Sequence, residues 1–210
     1  MHKLTITFLL ILMTFVLITA PPVQAGTYNF QPNPHDMNDL THQYYYLWKI
    51  DWSVPSEEYI TGATLLFKKI NDWTSEAGDK LFTHLLDNPD PTEWIPVSSS
   101  SPFNLWEKFD NQAGGDNFSG SEQIKIGEYT DNNTWQEDLI YNFDVSQIAT
   151  LTNYVTNGYF GFGVDPDCSY NNEYIKFTIT TAPMPEPATM VLLGSGLIGL
   201  AGLARRKFKK

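Results

Sequence analysis

The chain has 210 residues with 13 basic and 24 acidic side chains, a length that predicts one folded domain plus targeting segments at its ends. Residues 26–183, between those segments, hold 23 acidic residues, seven lysines and no arginine, a net charge of −16. A surface of that sign repels phosphate backbones, so we expect no nucleic-acid partner. The single cysteine, Cys168, cannot form an intramolecular disulfide, and its acidic neighbours predict a small buried side chain rather than a reactive thiol.

The first 25 residues have the pattern of a secretory signal peptide. Lys3 precedes an uncharged apolar stretch at residues 4–20, and two prolines then end any helix. Val23 and Ala25 place small residues at the two positions that signal peptidases read, so we expect cleavage after Ala25. The alternative is an uncleaved anchor helix. Either way the leader predicts export, with residues 26–183 as the extracellular body.

The body is expected to be mostly β, because short runs of β-branched and aromatic residues alternate with clusters of Gly, Pro, Asn and Asp. About eight strands in one domain predict two sheets that cover each other, a jelly-roll-like β-sandwich. The expected strands are residues 43–50, 59–70, 80–86, 103–109, 123–129, 139–143, 158–164 and 174–180.

One short helix is predicted after the sixth of these strands. Asp144 can cap its first turn, and Gln147 three residues later completes a capping box. Apolar residues at helical spacing follow, and Gly158 ends the helix. They are Ile148, Leu151, Tyr154 and Val155. This helix and its flanking strands, about 40 residues, resemble the late part of jelly-roll modules of bacterial surface proteins.

Residues 184–210 form a second membrane-directed segment. Pro185-Glu186-Pro187 precedes an uncharged, glycine-rich stretch at 188–204, which as a helix spans about 26 Å and predicts a transmembrane segment. Arg205 and Arg206 begin the basic tail 205–210, which stays cytoplasmic by the positive-inside rule, so the body lies outside. The prolines keep the segment before the helix extended for an enzyme, and we expect residues 180–183 to be a spacer of the same kind.

The proline motif, the glycine-rich helix and the arginine pair resemble the PEP-CTERM sorting signal over about the last 27 residues. The resemblance implies that an exosortase, a membrane-embedded cysteine transpeptidase-like enzyme, recognises and processes the Pro185-Glu186-Pro187 segment. It further implies a Gram-negative host that makes exopolysaccharide and biofilm. The chain would pass through an inner-membrane intermediate and end at the cell surface or in the extracellular matrix.

The body carries no enzyme motif, and we expect it to be non-enzymatic. It has no Gly-x-Ser-x-Gly or His-Glu-x-x-His sequence, and His84 falls in the middle of a predicted strand, where a structural role is expected. A surface polysaccharide hydrolase stays open as an alternative, because 23 acidic residues could supply the carboxylate pair that cleaves glycosides.

Two binding chemistries also stay open. Asp165, Asp167 and Glu173 cluster oxygen ligands after a strand, which would suit calcium, with solvated turns as the alternative; no other cofactor is expected. All six tryptophans lie in the body, and an exposed indole can stack on a sugar face. Trp94 and Trp135 stand in loop-like contexts, so a carbohydrate-binding module for exopolysaccharide is the alternative function.

Overall fold

The computed structural model describes residues 25–73, 78–110, 114–120, 123–131, 135–185 and 193–198. Most of the expected signal peptide and of the expected membrane segment at 188–204 therefore lies outside the described residues. Residues 193–198 of that segment are helical. Within the described part of the chain, no helix is both long enough and apolar enough to cross a membrane.

The described part of the body contains β-strands, one α-helix and a 3-10 turn. They are β1 (Thr27–Phe30), β2 (Tyr44–Asp51), β3 (Glu58–Asp72), β4 (Leu81–Leu86), β5 (Ile95–Pro96), β6 (Leu105–Phe109), β7 (Gln123–Tyr129), β8 (Glu137–Asn142), α1 (Val145–Tyr154), a 3-10 turn (Val155–Asn157), β9 (Tyr159–Pro166), β10 (Tyr170–Asn171) and β11 (Tyr174–Pro183).

The strands form two antiparallel sheets. In the first sheet β1 pairs with β11, β11 with β3, and β3 with β8, while the short β10 pairs with the end of β3. The second sheet has the order β5-β6-β2-β9-β4-β7. Consecutive strands repeatedly change sheet, from β1 in the first to β2 in the second, then β3 and β4 in the same alternation. The mostly-β prediction is confirmed.

Apolar side chains from both sheets meet in one core. Phe162 of β9 and Phe177 of β11 are fully buried, and their ring centroids lie 4.8 Å apart across the two sheets. Trp48 of β2 packs against Phe162 at 5.4 Å. The core follows from sequence alternation, since every second residue of β11 from Ile175 to Ile179 is fully buried, as a half-buried strand requires.

Each of the eight predicted strands is present; β7 has the predicted bounds, and the other seven are shifted by one to three residues at one or both ends. The largest shift is at β11, which runs on to Pro183 instead of ending at Thr180. The expectation of a spacer at residues 180–183 is therefore wrong: Thr181, Ala182 and Pro183 pair with Ile60, Tyr59 and Glu58 of β3 after a bulge. Strands β1, β5 and β10 were not predicted, because two to four residues carry too little alternation to recognise.

The predicted helix is confirmed, including its cap. The Gln147 N–H donates to Asp144 Oδ1 at 2.8 Å, and the Asp144 N–H donates to Gln147 Oε1 at 3.0 Å. Leu151 and Tyr154 are the buried positions of its apolar stripe. The 3-10 turn follows the helix directly, and Gly158 ends it. The φ of Gly158 is 87°, a conformation that glycine adopts without strain.

Candidate functional site

The sorting motif begins where the last strand of the body ends. The Met184 N–H donates to the Glu57 carbonyl oxygen at 2.8 Å, so backbone pairing with the β3 side of the sheet continues to the residue before Pro185. Pro185 is exposed and is the last described residue of this segment. Glu186, Pro187, Arg205 and Arg206 lie outside the described residues.

The two ends of the body lie side by side. β1 pairs antiparallel with β11, with Thr27 opposite Thr180, so the start of the first strand adjoins the end of the last. The Thr181 N–H donates to the Gly26 carbonyl at 3.0 Å, and the Gly26 N–H donates to Thr181 Oγ1 at 3.1 Å. Ala25, the expected last residue of the leader, is exposed beside this junction, whereas Val23 lies outside the described residues. Residue 25, where the expected leader ends, and residue 185, where the expected sorting motif begins, therefore lie at the same end of the body.

The expected calcium ligands are divided between two parts of the body. Glu173 is exposed and forms an ion pair with Lys69 at 2.7 Å. Asp165 and Asp167 instead accept backbone hydrogen bonds from one loop, residues 114–120: the Asn117 N–H donates to Asp165 at 2.7 Å and the Gly115 N–H to Asp167 at 2.8 Å. Within the described residues, these three carboxylates do not form a group that could share one ion.

The loop at residues 114–120 covers the outer face of the second sheet. Its Phe118 is almost fully buried, and a β-carbon placed on Gly163 of β9 would lie 2.5 Å from the Phe118 ring. Glycine is therefore required at 163 for the ring to lie against the strand. His84 of β4, also buried, holds the same loop through Nε2, 2.9 Å from the Asp116 carboxylate. The His84 position agrees with the expected structural role.

Burial changes the chemistry of the two loop-holding carboxylates. Asp165 is fully buried, and this burial raises its pKa to about 6, against the opposing effect of the Asn117 donors. The pKa of Asp167 is raised in the same way, with the charges of Asp79 and Asp110 adding to the effect of burial. Several carboxyl groups, those of Asp79, Asp110, Asp165 and Asp167, therefore lie close enough together near the end of β9 for their charges to act on one another.

A different group of side chains converges at this acidic end of the body. Ligand atoms of Asp72, Asp79 and Cys168 all lie within 4.8 Å of one another. Asp72 ends β3 and is 3% exposed, and the half-buried Cys168 donates its S–H to Asp72 Oδ1 at 3.1 Å. The Asp72 N–H donates to the buried Asp131 at 2.9 Å. We expected Cys168 to be buried, and the structure places it at intermediate exposure.

Tyr170 adjoins this group. It lies directly opposite Asp72 in the pairing of β10 with β3, is fully buried, and its hydroxyl has no hydrogen-bond partner among the described residues. Burial, followed by the charges of Asp72, Cys168 and Asp79, raises the pKa of Tyr170. Sequence reasoning missed this group because Asp72 and Cys168 are separated by 96 positions and no local spacing joins them.

The two tryptophans proposed for sugar stacking have different surroundings. Trp135 is 78% exposed. Trp94 is half-buried, with its ring nearly parallel to that of Phe118 and edge-on to that of Tyr45, at 6.1 and 4.9 Å between centroids. Trp73, which was not singled out, is 57% exposed.

Trp94 lines a cleft on the second sheet. Polar side chains of the neighbouring loop and strand share the lining, and the Gln123 Oε1 is buried there without a hydrogen-bond partner among the described residues. The other lining residues are Leu47, Leu86, Asp87, Asn88, Pro89, Asp90 and Phe118. An aromatic ring beside several amide and carboxylate groups is a chemistry that suits sugar hydroxyls.

Comparison with known proteins identifies the C-terminal segment. Residues 185–207 match the family model described as the PEP-CTERM protein-sorting motif. A search of curated proteins and a search of solved structures each found no match. The match begins at the first residue beyond the backbone pairing of β11 and Met184.

Proposed function

We propose that this chain, which carries a PEP-CTERM sorting motif at residues 185–207, is exported and sorted by an exosortase, and that it delivers a non-enzymatic β-sandwich module to the cell surface or extracellular matrix. Its route is the inner-membrane intermediate of a Gram-negative cell. The module is residues 26–183, and the sorting signal is residues 184–210.

Strand order supports a jelly roll for this module. When β5, β6 and β10 are set aside, eight strands remain, and numbering them along the chain gives the order 1-8-3-6 in one sheet and 2-7-4-5 in the other. Two interlocked Greek keys of eight strands are the arrangement of a jelly roll. Such a module presents loops and sheet faces for binding, in keeping with the absence of an enzyme motif in the sequence.

The observation that carries the proposal is the position of the sorting motif relative to the folded body. Backbone pairing ends at Met184, so at most about 14 Å of extended chain separates it from the expected helix at residue 188. Gly26 lies beside Thr181 at the same end of the body. Leader and sorting helix can thus enter one membrane together, with the folded module resting against its outer surface and the motif at the membrane interface.

The test is surface delivery of the full chain in cells that contain an exosortase. Replacing Pro185, Glu186 and Pro187 by alanine should leave the chain in the membrane fraction, because the processing enzyme loses its extended recognition segment. Pro183→Ala, two residues upstream in β11, is the matched control and should be delivered normally. Equal surface delivery of the triple variant and the parent would contradict sorting through this motif. New reducing ends on incubation with exopolysaccharide would contradict a non-enzymatic body.

A second candidate function, glycan binding, is favoured by the Trp94 cleft. We expect the full chain to bind exopolysaccharide of the producing cell, with Trp94→Ala weakening binding up to about tenfold, since loss of one stacking ring removes about 0.5–1.5 kcal/mol. Trp135→Ala tests the more exposed ring in parallel. Trp73→Ala is the control, because that indole is exposed but does not line the cleft. An equal loss of binding in all three variants would argue against a site in the cleft.

A further inference from the structure

We propose that Asp72, Asp79 and Cys168 form a binding site for a divalent metal ion of the zinc type. One thiol and two carboxylates with ligand atoms all within 4.8 Å of one another can reach a single ion. The site lies at the end of the module where β3 and β10 pair, away from the Trp94 cleft lining and from the sorting motif. It does not depend on the proposed function.

The donor set selects the class of metal. Calcium and magnesium take oxygen ligands, and a thiol contributes nothing to such a site. Zinc accepts cysteine sulfur together with aspartate oxygen, usually in a four-coordinate arrangement. Two carboxylates and one thiolate would give three protein ligands with a total charge of −3, which leaves one coordination position for water.

Tyr170 supplies a separate indication that the group is arranged around a ligand. Residues directly opposite each other in an antiparallel pair project from the same face of the sheet, so the Tyr170 side chain lies beside that of Asp72. The tyrosine is fully buried, yet its hydroxyl has no hydrogen-bond partner among the described residues. A buried hydroxyl without a partner is destabilising, and a water molecule on the metal would satisfy it.

Asp79 gives a second indication that the group is arranged around a ligand. Its Oδ2 is buried and has no hydrogen-bond partner among the described residues. The Cys168 S–H donates to Asp72 Oδ1. Metal binding would release this proton to solvent and form the metal–sulfur bond in its place.

The experiment is metal binding to the full chain, purified in detergent and treated with a chelator. Cobalt(II) is used as the spectroscopic substitute for zinc, because a cobalt–thiolate bond gives a near-ultraviolet charge-transfer band. We expect one equivalent of cobalt to produce the band and zinc to displace it. Zinc at a hundredfold excess over its dissociation constant should raise the melting temperature by about 5 °C or more, whereas calcium and magnesium should not.

Three variants make the result specific. Cys168→Ser keeps the size of the side chain and should abolish the charge-transfer band, while Asp79→Asn should weaken cobalt binding at least tenfold. Asp51→Asn is the control: this exposed aspartate of β2 pairs with Tyr159 at the start of β9, away from Cys168 beyond its end, and the variant should bind as the parent does. The melting curve of each metal-free variant shows that it is folded. A band that survives in Cys168→Ser, or stabilisation by calcium but not by zinc, would overturn the proposal.

Discussion

At the scale of single residues, the acidic side chains of this body have different roles that their sequence does not distinguish. Asp165 and Asp167 hold the loop at 114–120 by accepting its backbone N–H groups. Asp72 belongs to the group with Asp79 and Cys168. Glu173 forms an ion pair with Lys69. The sequence shows a cluster of oxygen ligands at 165–173, but which of them converge depends on residues such as Gly115 and Lys69 that lie far away along the chain.

The raised pKa of Asp165 predicts a pH dependence of stability. Between its ordinary value near 3.8 and about 6, the native protein holds a proton that the unfolded chain has lost, so the free energy of unfolding falls as pH rises through this window. Asp165→Asn removes the buried charge and can still accept from the Asn117 N–H. We therefore expect the variant to be more stable than the parent at pH 7.5 and equally stable at pH 4.

Thermal melting of the full chain at both pH values measures this difference. Asp51→Asn is the control, since Asp51 is exposed and its removal should leave the pH profile unchanged. A variant at Asp165 that is less stable than the parent at pH 7.5 would contradict this expectation, because it would mean that the surroundings of Asp165 stabilise its charged form.

At the scale of elements, local signals were sufficient for the helix and for the longer strands. The Asp144–Gln147 capping box is specified by residues three positions apart, and the structure reproduces both of its hydrogen bonds. By contrast, β1 has only four residues, and its partner β11 is the last strand of the body in sequence, about 150 positions later. β11 itself extends to Pro183 because Thr181 and Ala182 pair with β3, although the prolines that follow suggest an irregular segment.

The helix cap allows a direct test at this scale. Asp144→Ala removes the acceptor of the Gln147 N–H and should lower the free energy of unfolding by about 1 kcal/mol. For a chain of this size, that corresponds to a melting temperature lower by about 2–4 °C. Asp144→Ser keeps a capping oxygen and should restore most of the loss. If the alanine and serine variants melt at the same temperature, the cap does not stabilise the helix.

At the scale of the whole molecule, the sequence predicted a two-sheet body between two targeting segments but not how those segments relate in space. The strand order brings Gly26 and Thr181 into contact, which no local pattern could reveal because 155 positions separate them. The same order places β3 and β11 at the centre of one sheet. The chain then runs from β11 directly into the sorting motif. The proposed route therefore requires the body to face the membrane with the end at which residues 26 and 181 meet.

The central claim is that a membrane enzyme reads residues 185–187 and removes the tail beyond them. Mass spectrometry of the mature C-terminus, in matched cells with and without an exosortase, measures this directly. We expect a chain that ends within or next to Pro185-Glu186-Pro187 when the exosortase is present, and one that ends at Lys210 when it is absent. A chain that retains Lys210 in both kinds of cell would contradict the account.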